Sequence, residues 1–221
     1  MNEKSVVLVG ATGLIGNALL HELIPSDLAE IRIFVRRSIP GLPKKVKQII
    51  TDFSDLSSLK EELVGDVIYC CVGTTRKKTP DLNDYRKIDF DINIQMAKMA
   101  KENGFQTVHL ISAIGASTSS RIFYSKLKGE IEEALKELSF PNCYIYQPSI
   151  LIGARTESRP MEYLSQRQRL SPIIDLFLKG PLKDYHSISA KRIAKSIARN
   201  LGKEKPGIHI QRYAEIMSGI R

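Results

Sequence analysis

The chain has 221 residues, 43% hydrophobic and 26% charged, an ordinary globular balance and enough length for one good core, so residues 1–221 read as a single domain. Its apolar runs are too short to span a bilayer and its opening residues show no cleavable signal pattern, so no membrane span is expected and the expected setting is cytoplasmic. A formal charge of +9 suits an anionic partner, but no nucleic-acid motif, stacking platform or long basic tail accompanies it, so no specific nucleic acid is expected and most lysines read as a solvated surface.

The first element is an apolar strand, Val6-Val7-Leu8-Val9, followed by Gly10-Ala11-Thr12-Gly13-Leu14-Ile15-Gly16 and an amphipathic run from Asn17 to Ile24. A strand, glycine turn and helix in this order is how a protein holds a dinucleotide pyrophosphate. Gly10 permits the tight turn, Gly13 lets backbone N–H groups approach the phosphates, and Gly16 lets the helix lie close on the sheet. Thr12, Leu14 and Ile15 share that turn, where unpaired N–H groups and the helix dipole favour an anion.

A second strand, Ile31 to Val35, ends at Arg36-Arg37. In such a fold this end faces the adenosine ribose, where a carboxylate would read the 2′-hydroxyl of NAD and arginine accommodates the extra phosphate of NADP. Two arginines and no carboxylate favour NADP(H). Pro40-Gly41-Leu42-Pro43 leaves no room for a full helix before the next strand, Val46 to Ile50, whose exit carries Asp52-Phe53. Asp52 is expected to accept from the adenine amino group or to cap the short helix after Ser54, the latter role falling to Ser54 if Asp52 takes the first.

The run from Asp66 to Gly73 is a fourth strand and ends in Gly73-Thr74-Thr75, where glycine keeps the nicotinamide side of the crevice open and Cys71, Val72, Gly73 and Thr74 are expected to line the cofactor. Cys70, Cys71 and Cys143 lie in strand-like runs without metal-ligand spacing and read as small core residues. A long amphipathic helix is predicted from Leu82 to Asn103, stopped by Gly104. Thr107 to Ile111 is a fifth strand that delivers Ser112 at its C-terminal end and holds His109 as a core histidine. A helix from Ile122 to Leu138 and a strand from Cys143 to Gln147 follow. Glu162 to Leu170, Pro172 to Leu178 and Ala190 to Leu201 read as helices, and Gly207 to Ile210 as a last strand. The alternation predicts an α/β fold, a doubly wound, mostly parallel sheet, with a small C-terminal substrate cap over residues 153–182.

Tyr124 and Lys128 lie four apart and so share a helix face. An ammonium beside a phenol favours phenolate, which suits the phenol to exchange a proton with a carbonyl or alcohol oxygen, and lysine can also hold ribose hydroxyls. Ser112, at the neighbouring strand end, can hydrogen-bond the same substrate oxygen.

On these motifs the chain resembles the short-chain dehydrogenase/reductase superfamily in its atypical branch, and within it the Tat-interacting-protein-type oxidoreductases and their bacterial relatives. The residues that carry the likeness are Gly10 to Gly16, Arg36-Arg37, Asp52-Phe53, Ser112 to Ala116, Tyr124 with Lys128, Gln147-Pro148-Ser149-Ile150-Leu151 and Glu157-Ser158-Arg159-Pro160. The resemblance implies an NADP(H)-binding Rossmann fold, Tyr124 as acid/base, Lys128 as its electrostatic partner and ribose ligand, and Pro148, Ser149, Ile150 and Leu151 passing close to the nicotinamide. Where the superfamily often has an Asn that maintains a water relay, this chain has Asp89, with Asn93 one turn later. Ser117, Ser119 and Ser120 stand as alternatives to Ser112.

The leading expectation is an NADPH-dependent reductase of a small or medium ketone or aldehyde. A dinucleotide-responsive regulatory or interaction module and a nucleotide-sugar epimerase-like enzyme are the alternatives, the latter weakened by the short C-terminal part. The small cap leaves room for a modest carbonyl compound or a partner protein, and a homodimer is a further expectation.

Overall fold

The computed structural model describes residues 4–149, 151–152 and 188–218. Seven strands form one parallel sheet: β1 (Lys4–Val9), β2 (Leu28–Val35), β3 (Val46–Ile50), β4 (Val67–Cys70), β5 (Thr107–Ile111), β6 (Asn142–Tyr146) and β9 (Gly207–Gln211). Their order across the sheet is β3-β2-β1-β4-β5-β6-β9, so the chain winds outward from β1 to one edge, then returns past β1 to the other. That reversal opens a crevice at the carboxyl ends of β1 and β4, the place where doubly wound sheets bind ligands.

The strands read as continuous apolar runs because both sheet faces are covered. Val6 and Leu8 point into one core with Leu19, Leu20 and Leu23 of α1 (Leu14–Leu23) and with Ile193 and Ile197 of α5 (Ala190–Arg199). Val7 and Val9 point into the other, with Met96 and Ala97 of α3 (Ile92–Glu102) and Leu127, Ile131 and Leu135 of α4 (Phe123–Glu137).

The structure differs from the sequence expectations in a few places. Helix α1 starts at Leu14, not Asn17, so half the glycine turn is already helix. Strand β2 starts at Leu28, and an irregularity in its register with β1 absorbs Ala29. The long helix exists, but α2 (Leu82–Arg86) and α3 are joined by a π turn at Lys87–Asp91, and Gly104 (φ +89°) ends it as expected. No full helix separates β2 from β3, as Pro40 to Pro43 predicted. The short 3₁₀ helix after β3 spans Ser57–Glu62, and Asp55, not Ser54, caps it: Asp55 Oδ1 accepts from the backbone N–H groups of Ser57 (3.1 Å) and Ser58 (3.3 Å). A carboxylate is the stronger acceptor, and Ser54 is instead occupied with Asp52. Two short strands unmarked by any pattern, β7 (Leu151–Ile152) and β8 (Ile188–Ser189), pair in parallel, and α6 (Tyr213–Ser218) follows β9. The helices expected over 162–170 and 172–178, the cap over 153–182, Ile150 and the motif from Glu157 to Pro160 lie outside the described residues.

Candidate cofactor and active site

The glycine turn is built by close approach. Gly10 has φ +92°, and a Cβ there would lie 2.6 Å from the Cys71 carbonyl carbon and 2.7 Å from Val72 N, so β1 and the exit of β4 meet backbone to backbone. A Cβ on Gly16 would run into the carbonyl oxygen of Gly10 and lie 2.8 Å from its carbon. Gly16 therefore serves the turn itself as well as the helix–sheet contact. Gly13 N–H donates to Gly10 O at 2.9 Å and Gly13 is the N-cap of α1, with no side chain capping the helix and no acidic residue in its first turn. An uncapped helix start at a crevice is a seat for phosphate. Thr12 is exposed beside it, Leu14 is half-buried and Ile15 anchors the turn in the core.

Arg36 and Arg37, just past β2, are exposed and have no ion-pair partner among the described residues. Asp52 Oδ1 accepts from Ser54 N–H at 2.8 Å, and the Ser54 hydroxyl and N–H hold that carboxyl below its ordinary range. Phe53 is a non-glycine residue at φ +64°, with its N–H bound to Thr51 Oγ1 at 3.0 Å. Beside them a cavity of about 890 Å³ opens between the exit of β3 and the outer face of the long helix, lined in part by Phe53, Leu56, Ile88, Ile92 and Met99. The rest of its lining is polar or charged, the Asp52 carboxylate included.

At the exit of β4, Gly73 is exposed and Thr74 is buried. Thr74 N–H donates to Asp89 Oδ2 at 2.6 Å, and Tyr85 OH donates to Thr74 O at 3.1 Å. Cys71 is pushed up to about 12 by burial, with Lys128 pulling the other way, so it is no nucleophile at neutral pH. Asp89, fully buried on the π turn, lies 3.1 Å through Oδ1 from Lys128 Nζ, within ion-pair reach although not aligned for a hydrogen bond. Asn93, which the sequence left beside Asp89 as a relay candidate, spends its amide on Val72 O (3.0 Å) and Asp89 O (2.6 Å). Lys128 Nζ is 6.0 Å from the ring centre of half-buried Tyr124, one helical turn away on α4.

Ser112 is buried at the end of β5, and its hydroxyl donates to Glu132 Oε1. Glu132 is itself buried, and Gln147 Nε2 donates to both of its oxygens at 3.0 Å. Arg212 Nε donates to Gln147 Oε1 at 3.1 Å. Ser117 and Ser119 bond each other at 2.9 Å on the exposed loop, and Ser120 Oγ accepts from Ile122 N–H at 3.1 Å. That loop lies against α4 because Gly129 has no side chain: a Cβ there would come within 2.7 Å of Ser117 Cα. Pro148 is buried and its carbonyl accepts from Ile114 N–H at 3.0 Å, Ser149 is half-buried, and the Leu151 backbone pairs with Ile188.

Residues 10–139 match the family model described as NAD(P)H-binding. The chain belongs to that family, in the atypical short-chain dehydrogenase/reductase branch. Among its relatives are the protein HTATIP2 of Rattus norvegicus, 34% identical over 76% of this chain and 71% of that one, and the mitochondrial protein FMP52 of Eremothecium gossypii, 39% identical over 68% of each. The fold is similar to UDP-N-acetylglucosamine 4-epimerase from Methanobrevibacter ruminantium M1, with a TM-score of 0.68 at 16% identity over 96% of this chain and 77% of that one. It is also similar to a short-chain dehydrogenase/reductase family oxidoreductase from Burkholderia thailandensis, with a TM-score of 0.63 at 16% identity over 91% and 86% of the two chains.

In this NAD(P)H-binding chain the crevice gathers Gly10, Gly13, Gly16, Cys71, Val72, Gly73 and Thr74 around one backbone contact, and Lys128 reaches it through Asp89. Tyr124 stands on the same face of α4, while Arg36, Arg37, Asp52 and Phe53 flank the far end of the crevice at the exits of β2 and β3. His109 is the core histidine expected, stacked on Tyr144 and tilted against Tyr69, each ring centre 4.8 Å away, and pulled down to about 3 by burial. Glu132, Gly129 and the counter-ion role of Asp89 escape a sequence reading. The one available signal was a carboxylate four residues past Lys128, beside the apolar positions Leu127, Ile131 and Leu135.

Proposed function

We propose that this protein is an NADPH-dependent oxidoreductase that reduces the ketone or aldehyde carbonyl of a small or medium metabolite. The observation that carries this reading is the pair Tyr124 and Lys128 on one face of α4, with the Lys128 ammonium drawn by Asp89 to the exit of β4, where a nicotinamide ribose would lie. The residues fit the cofactor: the glycine cradle has no space for a Cβ, the α1 N-terminus is uncapped, and Arg36 and Arg37, unpaired among the described residues, follow the strand end that would face a 2′-phosphate. Bound NADPH would supply the hydride to the carbonyl carbon. Tyr124 Oη gives its proton to the carbonyl oxygen, which becomes the alcohol, and recovers one from water. Lys128 holds the ribose hydroxyls and favours the charge that develops on the phenol oxygen.

Tyr124→Phe removes the proton donor and leaves the cradle untouched. Carbonyl-dependent NADPH oxidation is expected to fall by about 100-fold or more, with cofactor affinity in calorimetry nearly unchanged. Undiminished turnover would take Tyr124 out of the chemistry. A second reading, an NADP(H)-responsive interaction module with little turnover, draws on a specific feature: the Ser112 hydroxyl and the Lys128 ammonium are each already held by a buried carboxylate. Tight NADPH binding with no turnover across a broad carbonyl panel would favour it.

A further inference from the structure

We propose that Glu132 is a positioning residue for the substrate side of the crevice, acting through Ser112; the role rests on the reductase reading above. Glu132 lies on α4 beside Leu127, Ile131 and Leu135, all buried in one core, and is itself only 4% exposed. Packing alone would be served by another apolar residue there. A carboxylate held out of water is strongly unfavourable unless donors surround it. Among the described residues Glu132 has no cationic partner; its donors are the Ser112 hydroxyl and the Gln147 amide, with Arg212 one step removed on the far side of that amide.

Those two donors sit where the crevice is made. Ser112 follows the last residue of β5, and Gln147 follows the last residue of β6 and leads into Pro148 and Ser149. Parallel strand ends of this kind face the ligand. Tyr124, Lys128 and Glu132 fall at successive four-residue steps on a single helix, each step about 6 Å along its axis. One rigid face thus carries the proton donor, the ribose ligand and the anchor of the serine. Having given its only proton to Glu132, Ser112 Oγ is left as an acceptor. It therefore meets a hydroxyl, that of Tyr124 or one carried by the substrate or product alcohol, and does not donate to the carbonyl.

The test uses the full chain with Glu132→Gln, Glu132→Leu, Ser112→Ala and the double variant Ser112→Ala/Glu132→Leu. Each is followed by thermal melting, NADPH calorimetry and NADPH oxidation with 4-nitrobenzaldehyde as the probe. Glu132→Leu is expected to lose about 10- to 100-fold in kcat with NADPH affinity unchanged, and to melt below Glu132→Gln, because it leaves the buried Ser112 hydroxyl and Gln147 amide without their acceptor. Glu132→Gln should slow turnover less, since it keeps an acceptor for Ser112. The double variant should be no slower than Ser112→Ala alone, because both changes break one interaction. A Glu132 effect on kcat that multiplies with that of Ser112→Ala, or one that Glu132→Gln reproduces in full, overturns the role. Equal kcat in wild type and both Glu132 variants overturns it as well, leaving the reductase reading intact. A wild type that binds NADPH but reduces neither the probe nor any member of a broad carbonyl panel overturns that reading and this role together.

Discussion

Replacing Gly16 with Ala tests whether the first turn of α1 is a phosphate seat. The new methyl would collide with the Gly10 carbonyl oxygen and stand 2.8 Å from its carbon, where about 3.5 Å is the closest comfortable approach. Both partners are backbone, so no rotamer relieves the clash, and α1 must retreat from the turn by roughly 0.5–1 Å. Its inner side chains Leu19, Leu20 and Leu23 are at most 1% exposed against the sheet, so the retreat also loosens a filled core, at a cost of about 1–3 kcal/mol. The N–H groups of that turn move with it, and a charge-assisted hydrogen bond stretched out of range loses about 1.5–3 kcal/mol, or roughly 10- to 100-fold in affinity. Gly41→Ala is the control. Gly41 has φ +76° with nothing within 4 Å of its added Cβ, and it lies in the loop between β2 and β3. It should cost about 1–2 kcal/mol of backbone strain and leave cofactor affinity alone. Calorimetry with NADPH and thermal melting of both variants separate the two effects. Wild-type NADPH affinity in Gly16→Ala, or equal affinity losses in both variants, would refute the phosphate seat.

Arg36 and Arg37 are exposed and unpaired among the described residues, so their joint replacement by Ala should spare the fold and weaken NADPH by about 10- to 100-fold while NADH binding hardly changes; equal losses in titrations with the two cofactors would mean that neither reads a 2′-phosphate. His109 has an acid signature. Its pKa is about 3 in the fold against an ordinary 6.5, so the unfolded chain binds the extra proton between those values, and stability is full above about pH 6.5 and drains as pH falls toward 3. Between pH 7 and pH 5 the loss is about 2 kcal/mol, measurable as a lower denaturation midpoint, and His109→Phe, which keeps an aromatic ring against Tyr69 and Tyr144, should flatten that limb; an unchanged acid limb in the variant would assign it to other groups.

The elements with strong local grammar were legible in the chain. Val6 to Val9 could only be a strand buried on both faces, and the glycine spacing after it had one good use. Tyr124 and Lys128 were placed on a common face by helical spacing alone, and the structure has them there. What stayed hidden depended on contacts between distant parts of the chain. Asp and Glu on a helix default to solvent, so nothing local announced that Asp89 meets Lys128, or that Glu132 meets Ser112 across 20 positions. The π turn has no sequence code of its own, and the two-residue strands β7 and β8 are too short for alternation to register. Ser54, the cap if Asp52 took the adenine, does not cap the helix because Asp55, one residue nearer its start at Ser57, takes the first N–H groups.

The π turn and the buried pair explain each other. A five-residue turn inside a helix of ordinary pitch has poorer hydrogen-bond geometry, and such turns persist where they set a side chain that the regular pitch would misdirect. Here the turn at Lys87–Asp91 holds Asp89 inward, where one oxygen takes the Thr74 N–H and the other faces Lys128. Asn93 closes the same joint, with its amide bridging Val72 O and Asp89 O. Removing either charge would strand the other in the interior, at roughly 3–5 kcal/mol, so the pair is not a free adjustment of an otherwise complete fold. It ties three things at one point: the exit of β4, the long helix, and the face of α4 that carries Tyr124. A site tied in this way has its ammonium and its strand exit already oriented when a dinucleotide arrives, and less of the binding energy goes into ordering them.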